Sequence, residues 1–229
     1  MRIWSWEGFL GYLLNPYLLE GAILSVGLTA GALVCGLALG IGLALMRLSG
    51  RRWLSLMAGF YCWLFRGTPL LVQLLVIYTA LPLFGLKLSV PAAALLGLSL
   101  NEAAYLSETV RAGIQAVPRG QSEAAQALGL RGSLRFRLVV WPQALRIIIP
   151  PLGNSVNGLL KTTSVASVIS MDELLRRTQI LIQERFLVLE LFAVAALYYL
   201  AMTTAWDLVQ RVLERRYGRG HALESADRR

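Results

Sequence analysis

The chain has 229 residues, 56% of them hydrophobic and only 15% charged, with a mean hydropathy of +0.60. Soluble domains carry roughly 25% charge, so a single water-soluble domain is excluded, and the uncharged runs 21–46, 67–86 and 191–206 read as helical membrane spans; they alternate too weakly for a β-barrel. The net charge of +9 is gathered mostly into three arginine clusters separated by apolar runs, a pattern that reports orientation in a membrane and not nucleic-acid binding.

In chain order, 1–19 carries Trp4, Trp6, Tyr12 and Tyr17 among apolar residues. It lacks the short apolar core and small-residue cleavage site of a secretory leader, and reads as an external, interfacial segment anchored by aromatics. A membrane-spanning domain follows over 20–215. Span one covers about 21–46 and ends at Arg47, Arg51 and Arg52. Its Gly27-x-x-x-Gly31 and Gly36-x-x-x-Gly40 pairs favour close helix packing inside the chain. Span two runs outward over about 54–79. Within it Gly67 and Pro69 weaken the helix, and the freed carbonyls require polar partners or a water-filled cavity.

Span three returns over about 89–110 and enters a basic loop, 111–142, holding five arginines, with Arg146 just beyond it. There Pro118 and Gly120 break the preceding helix. Gln121 or Ser122 is expected to cap a new short helix through Ala124, Ala125 and Leu128, with Gly129 just past its end, where a left-handed turn needs no side chain. Span four follows over about 143–163. Arg176, Arg177 and Arg185 then fall on the outer side, where an amphipathic helix with Asp172, Glu173 and Glu184 accounts for them. Span five covers about 187–210, and 216–229 reads as a flexible cytoplasmic tail. The charge rule thus predicts an all-α membrane protein of about five spans, N-terminus outside and C-terminus in the cytoplasm.

Ionisable groups at membrane depth are by default functional. Arg66 fits two roles, lining a pathway with Thr68 and Gln73, or folding alone by pairing with Glu102 or Glu108. In span four, Asn154, Asn157 and Lys161 recur at three and four residues and form a polar stripe, with Ser155, Thr163 and Ser164 beside it. Lys161 fits either a substrate carboxylate or snorkelling to the outer interface.

The loop sequence Glu123-Ala124-Ala125, three residues, Gly129-Leu130, and then Val139-Val-Trp141-Pro142 resembles the EAA loop of ABC importer permeases. Val139 and Trp141 stand where that pattern has Ile and Leu. Phe65-Arg-Gly-Thr-Pro-Leu-Leu-Val-Gln73 resembles a signature of the polar amino acid branch. Leu159-Leu-Lys-Thr-Thr-Ser164 is similar to another, with Thr162 where aspartate is common.

The resemblance implies a type I importer permease of the bacterial inner membrane. It also implies ABC ATPase subunits that hold Mg-ATP, a second permease copy or paralogue, and a periplasmic or lipid-anchored solute-binding protein. Glu123, Ala124, Ala125, Gly129, Leu130 and Pro142 would form the ATPase-coupling loop; the chain itself would need no cofactor. Cationic-substrate relatives often carry an acid near the Ser155 position, and none occurs between Arg146 and Met171, so arginine or lysine is not expected as cargo.

An enzyme is not expected either. A phosphate loop ends in Gly-Lys, whereas Lys87 and Lys161 both follow leucine; the lone His221 offers no zinc pair; Cys35 and Cys62 read as packing residues. The alternative is a self-contained channel or secondary transporter. Many of these show inverted repeats with paired broken helices, and no internal repeat is visible here.

Overall fold

The computed structural model describes residues 4–217, with the backbone alone at Tyr217. Nearly all of the expected 216–229 tail lies outside the described residues. Within them the chain is helical and contains no strand. Ser5 caps α1 (Trp6–Tyr12) by accepting from the Gly8 amide, and its own amide donates to Glu190 at 2.6 Å, which fastens α1 to the last helix. Asn15 then caps α2 (Pro16–Leu48), with Pro16 in the first turn where its missing N–H costs nothing. Next come α3 (Arg52–Gly67), α4 (Leu70–Ala80), a 3-10 turn ending at Gly85, and α5 (Val90–Gln115). The basic loop holds α6 (Arg119–Ala127), the single turn α7 (Gly132–Arg135) and a π-helical turn (Phe136–Val140). That turn leads into α8 (Trp141–Thr162), which tightens into a 3-10 segment (Thr163–Ile169). Finally α9 (Leu174–Arg185) precedes α10 (Val188–Tyr217).

Length and apolarity alone qualify α2 and α10 as spans, and α3 with α4 as a third. The other two expected spans, α5 and α8, have the length but are polar. The reason is their place in the bundle. α5 is packed by α2, α3, α4 and α8, so Asn101, Glu102 and Glu108 turn toward protein. Span two is broken where Gly67 and Pro69 are expected to weaken it: α3 and α4 meet at 104° across Thr68 and Pro69.

The α2–α5 pair is the core of the bundle. Gly36 and Gly40 lie against α5, where a Cβ on Gly40 would stand 3.0 Å from the Ala103 carbonyl and 3.1 Å from Leu106. Gly27 has open space around it. Gly31 faces Leu95 of α5, 2.9 Å from where its Cβ would stand, so of the two glycine pairs only Gly27 takes no part in the internal packing expected of both. Leu28, Ala32, Leu74, Ala94, Leu98 and Leu159 fill the seam among α2, α4, α5 and α8.

The segment after α8 is fixed by one buried acid. Glu173 caps α9 by accepting the Arg176 amide (2.8 Å), accepts from Tyr199 of α10 (3.0 Å), and lies by Ser25 of α2 (3.4 Å). Of the α9 arginines, Arg177 lies over the Tyr17 ring and pairs with Glu20 of α2 at 2.7 Å, not with the expected acids Asp172, Glu173 or Glu184, and Arg176 Nε is buried without a hydrogen-bond partner.

Because overpacking of a tight seam costs about 1–3 kcal/mol, Gly40→Leu is expected to lower the melting temperature of the detergent-solubilised protein. Gly27→Leu is expected to leave it unchanged. Equal melting of the two variants would contradict the α2–α5 contact.

Candidate functional site

A cavity of about 560 Å³ opens at the bend between α3 and α4. Its wall is Arg66–Leu70 on one side, Asn101, Glu102 and Tyr105 of α5 on another, and Ser155, Gly158, Leu159 and Thr162 of α8 on the third. The bend exists because Pro69 has no N–H to donate and is held extended together with Thr68. The carbonyls it releases are taken up by Gln73, one turn into α4. Its side-chain amide donates to the Phe65 carbonyl (2.8 Å) and to the carbonyl and hydroxyl of Thr68 (3.0 and 2.8 Å). Asn101 completes the clamp, donating to Gln73 Oε1 (3.0 Å) and to the Phe65 carbonyl (3.2 Å). Gln73 is buried in this work, while Thr68 faces the cavity.

The charges of the cavity come from two helices. Arg66 is exposed to it and lies 5.5 Å from the centre of the Tyr105 ring. Its carboxylate partner is Glu108, at 3.9 Å, and not Glu102. Glu102 is buried, and its Oε1 has no hydrogen-bond partner. A buried carboxyl oxygen without a donor is costly, and here it borders an opening with a guanidinium across from it. The site therefore offers one place for a negative group and one for a positive group within the same space.

The α8 residues separate into three environments. Ser155 reaches the cavity. Asn157 instead donates to Asp207 of α10 at 2.6 Å, part of a seam in which Trp206 also donates to the Gly153 carbonyl (2.8 Å). Asn154 is exposed, and Lys161 and Ser164 border a separate recess with Tyr199 and Thr203 of α10. Thr163 is fully buried, returning its hydroxyl to the Leu160 carbonyl. The cavity face of α8 is thus 155, 158, 159 and 162, rotated from the 154, 157 and 161 stripe. Ser155, Arg66 and Thr68 are brought together; Asn154, Asn157, Lys161, Thr163 and Ser164 are not.

Glu102 and Tyr105 are residues whose place in the cavity sequence reasoning did not assign. The available signal was their spacing, since residues three apart on a helix share a face. The acid that the sequence lacks near Ser155 is supplied across the cavity by α5, which removes the reason for excluding cationic cargo.

In the basic loop, α6 starts at Arg119 with Pro118 at its N-cap and no side-chain cap, not at Gln121 or Ser122. Pro118, extended at ψ 132°, already sets the entry, so the helix begins three or four residues earlier than a cap at Gln121 or Ser122 would place it. It ends as expected: Gly129 has φ +80°, its amide donates to the Gln126 carbonyl, and the Leu130 amide donates to that of Ala125. Ala125 is buried against the body, whereas Glu123, Ala124 and Leu128 are exposed, Leu128 to 81%. Pro142 sits in the first turn of α8.

Residues 36–219 match the family described as binding-protein-dependent transport system inner membrane component. The chain is 37% identical to the arginine transport system permease protein ArgU of Corynebacterium glutamicum, over 95% of this chain and 73% of that protein. It is 41% identical to the octopine transport system permease protein OccM of Rhizobium meliloti (87% and 83%) and 37% identical to a putative glutamine transport system permease protein GlnP of Rickettsia bellii (87% and 92%). A crystal structure of an amino acid ABC transporter with histidines superposes with a TM-score of 0.85 at 37% identity, covering 91% of this chain and 98% of that one. An inward-facing MetNI methionine ABC transporter, at 18% identity and a TM-score of 0.70, shares the fold. The fold is therefore that of type I ABC importer permeases, and the chain belongs to the binding-protein-dependent inner membrane components as an amino acid ABC transporter permease subunit.

Proposed function

We propose that this multi-pass subunit of a bacterial inner membrane imports polar amino acids through the cavity at the α3–α4 bend. Arg66 takes the substrate carboxylate and Glu102 its ammonium or another cationic group. The observation that carries this reading is the buried Glu102 oxygen left without a partner in a cavity that also exposes a guanidinium. Charge-assisted hydrogen bonds are roughly twice as strong as neutral ones, so such a pair selects for zwitterions over neutral solutes. The names of the relatives, which include arginine and glutamine transport, agree with a cargo of this class.

The energy comes from elsewhere. ATPase subunits holding Mg-ATP bind α6 in a surface groove, contacting the exposed face of Glu123, Ala124 and Leu128, while the left-handed turn at Gly129 fixes where the chain leaves the groove. A second permease copy or paralogue completes the pathway, and a solute-binding protein delivers substrate to the outer face. Closure of the ATPases moves α6, and α8 follows through the π-helical turn. No step needs a cofactor on this chain. A self-contained channel would have no use for a small helix presented in this way.

Two tests separate the parts. Glu102→Gln removes the charge and keeps the shape. It is expected to weaken binding of L-arginine or L-glutamine to the purified transporter at least about tenfold, equivalent to about 1.4 kcal/mol; unchanged affinity for both overturns the cavity assignment. Glu123→Lys and Gly129→Val, the latter forcing a β-branched residue into a left-handed conformation, are expected to leave the protein in the membrane and to lose either the ATPase in co-purification or ATP-driven uptake. Full uptake by both variants overturns the loop assignment.

A further inference from the structure

Glu108 gathers arginines from three helices. Arg47, in the last turn of α2, donates to Oε1. Arg111, one turn along α5, donates to Oε2 through both Nε (3.1 Å) and Nη2 (2.7 Å). Arg66, the penultimate residue of α3, stands 3.9 Å from Oε1. One carboxylate faces three guanidinium groups, so the cluster is short of negative charge. Arg66 is the loosest of the three by distance and the most exposed, with 46% of its side chain accessible against 28% and 27% for the others. It is also the only one of the three that lines the cavity.

We propose that Glu108 is a positioning residue that ties occupancy of the cavity to the arginine-rich end of the bundle, with Arg66 as the shared partner. The inference rests on the reading of the cavity as the amino acid site. With the cavity empty, Arg66 leans on Glu108 and ties the end of α3, beside the bend, to α2 and α5. A substrate carboxylate competes for the same guanidinium. When it takes Arg66, Glu108 keeps Arg47 and Arg111, and the end of α3 is released from that tie.

The other end of the connection is short. Arg111 also donates to Gln115 at 2.7 Å, the final residue of α5, three positions before Pro118 at the start of α6. Glu108 thus contacts the substrate's arginine on one side and, through Arg111, the root of the loop on the other. It does not itself line the cavity.

The experiment uses the complete transporter, permease with its ATPase and binding protein, in nanodiscs. Binding of radiolabelled L-arginine and L-glutamine is measured together with the ratio of ATP hydrolysis with and without the amino acid that binds. Glu108→Gln is expected to bind within about threefold of wild type while that ratio falls toward one. Retained binding with a wild-type ratio overturns the proposal. If Glu108→Gln does not assemble, Arg66→Lys decides, because it keeps the cavity charge but loses the fork and reach that let one group serve two carboxylates. Its ratio is expected to fall at least threefold, by more than its affinity, and a wild-type ratio overturns the proposal. If wild type binds neither amino acid, or Glu102→Gln leaves binding unchanged, the cavity reading fails and takes this inference with it. That outcome is separable from a coupling failure, in which binding is intact and Glu102-dependent.

Discussion

Backbone carbonyls cannot be left without donors in hydrocarbon, where each unsatisfied group costs several kcal/mol. The break at Thr68 and Pro69 creates that problem, and Gln73 and Asn101 solve it. Everything in the cavity follows from that solution. The 104° bend opens space between α3 and α4, turns Arg66 toward α5, and brings the polar face of α5 inside where it meets α8. The clamp residues are consumed in holding the bend, so Gln73, polar and buried, shapes the cavity without lining it.

The balance of charge in the bundle has the same logic. Ionisable groups are tolerated when they pair or line a cavity, and the described helices show both cases. Glu108 and Glu173 are heavily partnered, the first by three arginines and the second by an amide and two hydroxyls. Glu102 is the exception. The contrast between saturated and unsaturated acids within one bundle separates residues that hold helices together from one that borders the cavity with an unpartnered oxygen.

Much of this was legible in the sequence. Uncharged runs located α2, α4 and α10 but not the polar α5 and α8, the arginine clusters marked one end of the bundle, Gly67 and Pro69 announced the break, and Gly129 announced the end of α6. What the sequence could not phase was rotation. On α8 the 154/157/161 set and the 155/158/159/162 set are equally periodic, and only packing against α5 and α10 decides which faces the cavity. Long-range partners were hidden for the same reason. Asn157 meets Asp207 fifty residues later, and Arg66 chose Glu108 over Glu102, a choice fixed by tertiary distance. The start of α6 moved because proline geometry at residue 118 overrode the side-chain capping preference of Gln121 and Ser122.

The polarity of α5 bears on how the protein is made. A charged residue at the centre of a helix costs about 2.5–3.5 kcal/mol on the scale of insertion by the cellular machinery, and α5 carries Glu102 and Glu108. Alone it is a poor candidate to leave the translocon for lipid. α2, synthesised first and apolar along its length, presents Gly36 and Gly40 as the groove that α5 fills. Biogenesis of the bundle is thus ordered by its chemistry: α2 enters the bilayer on its own account, and α5 enters as its partner.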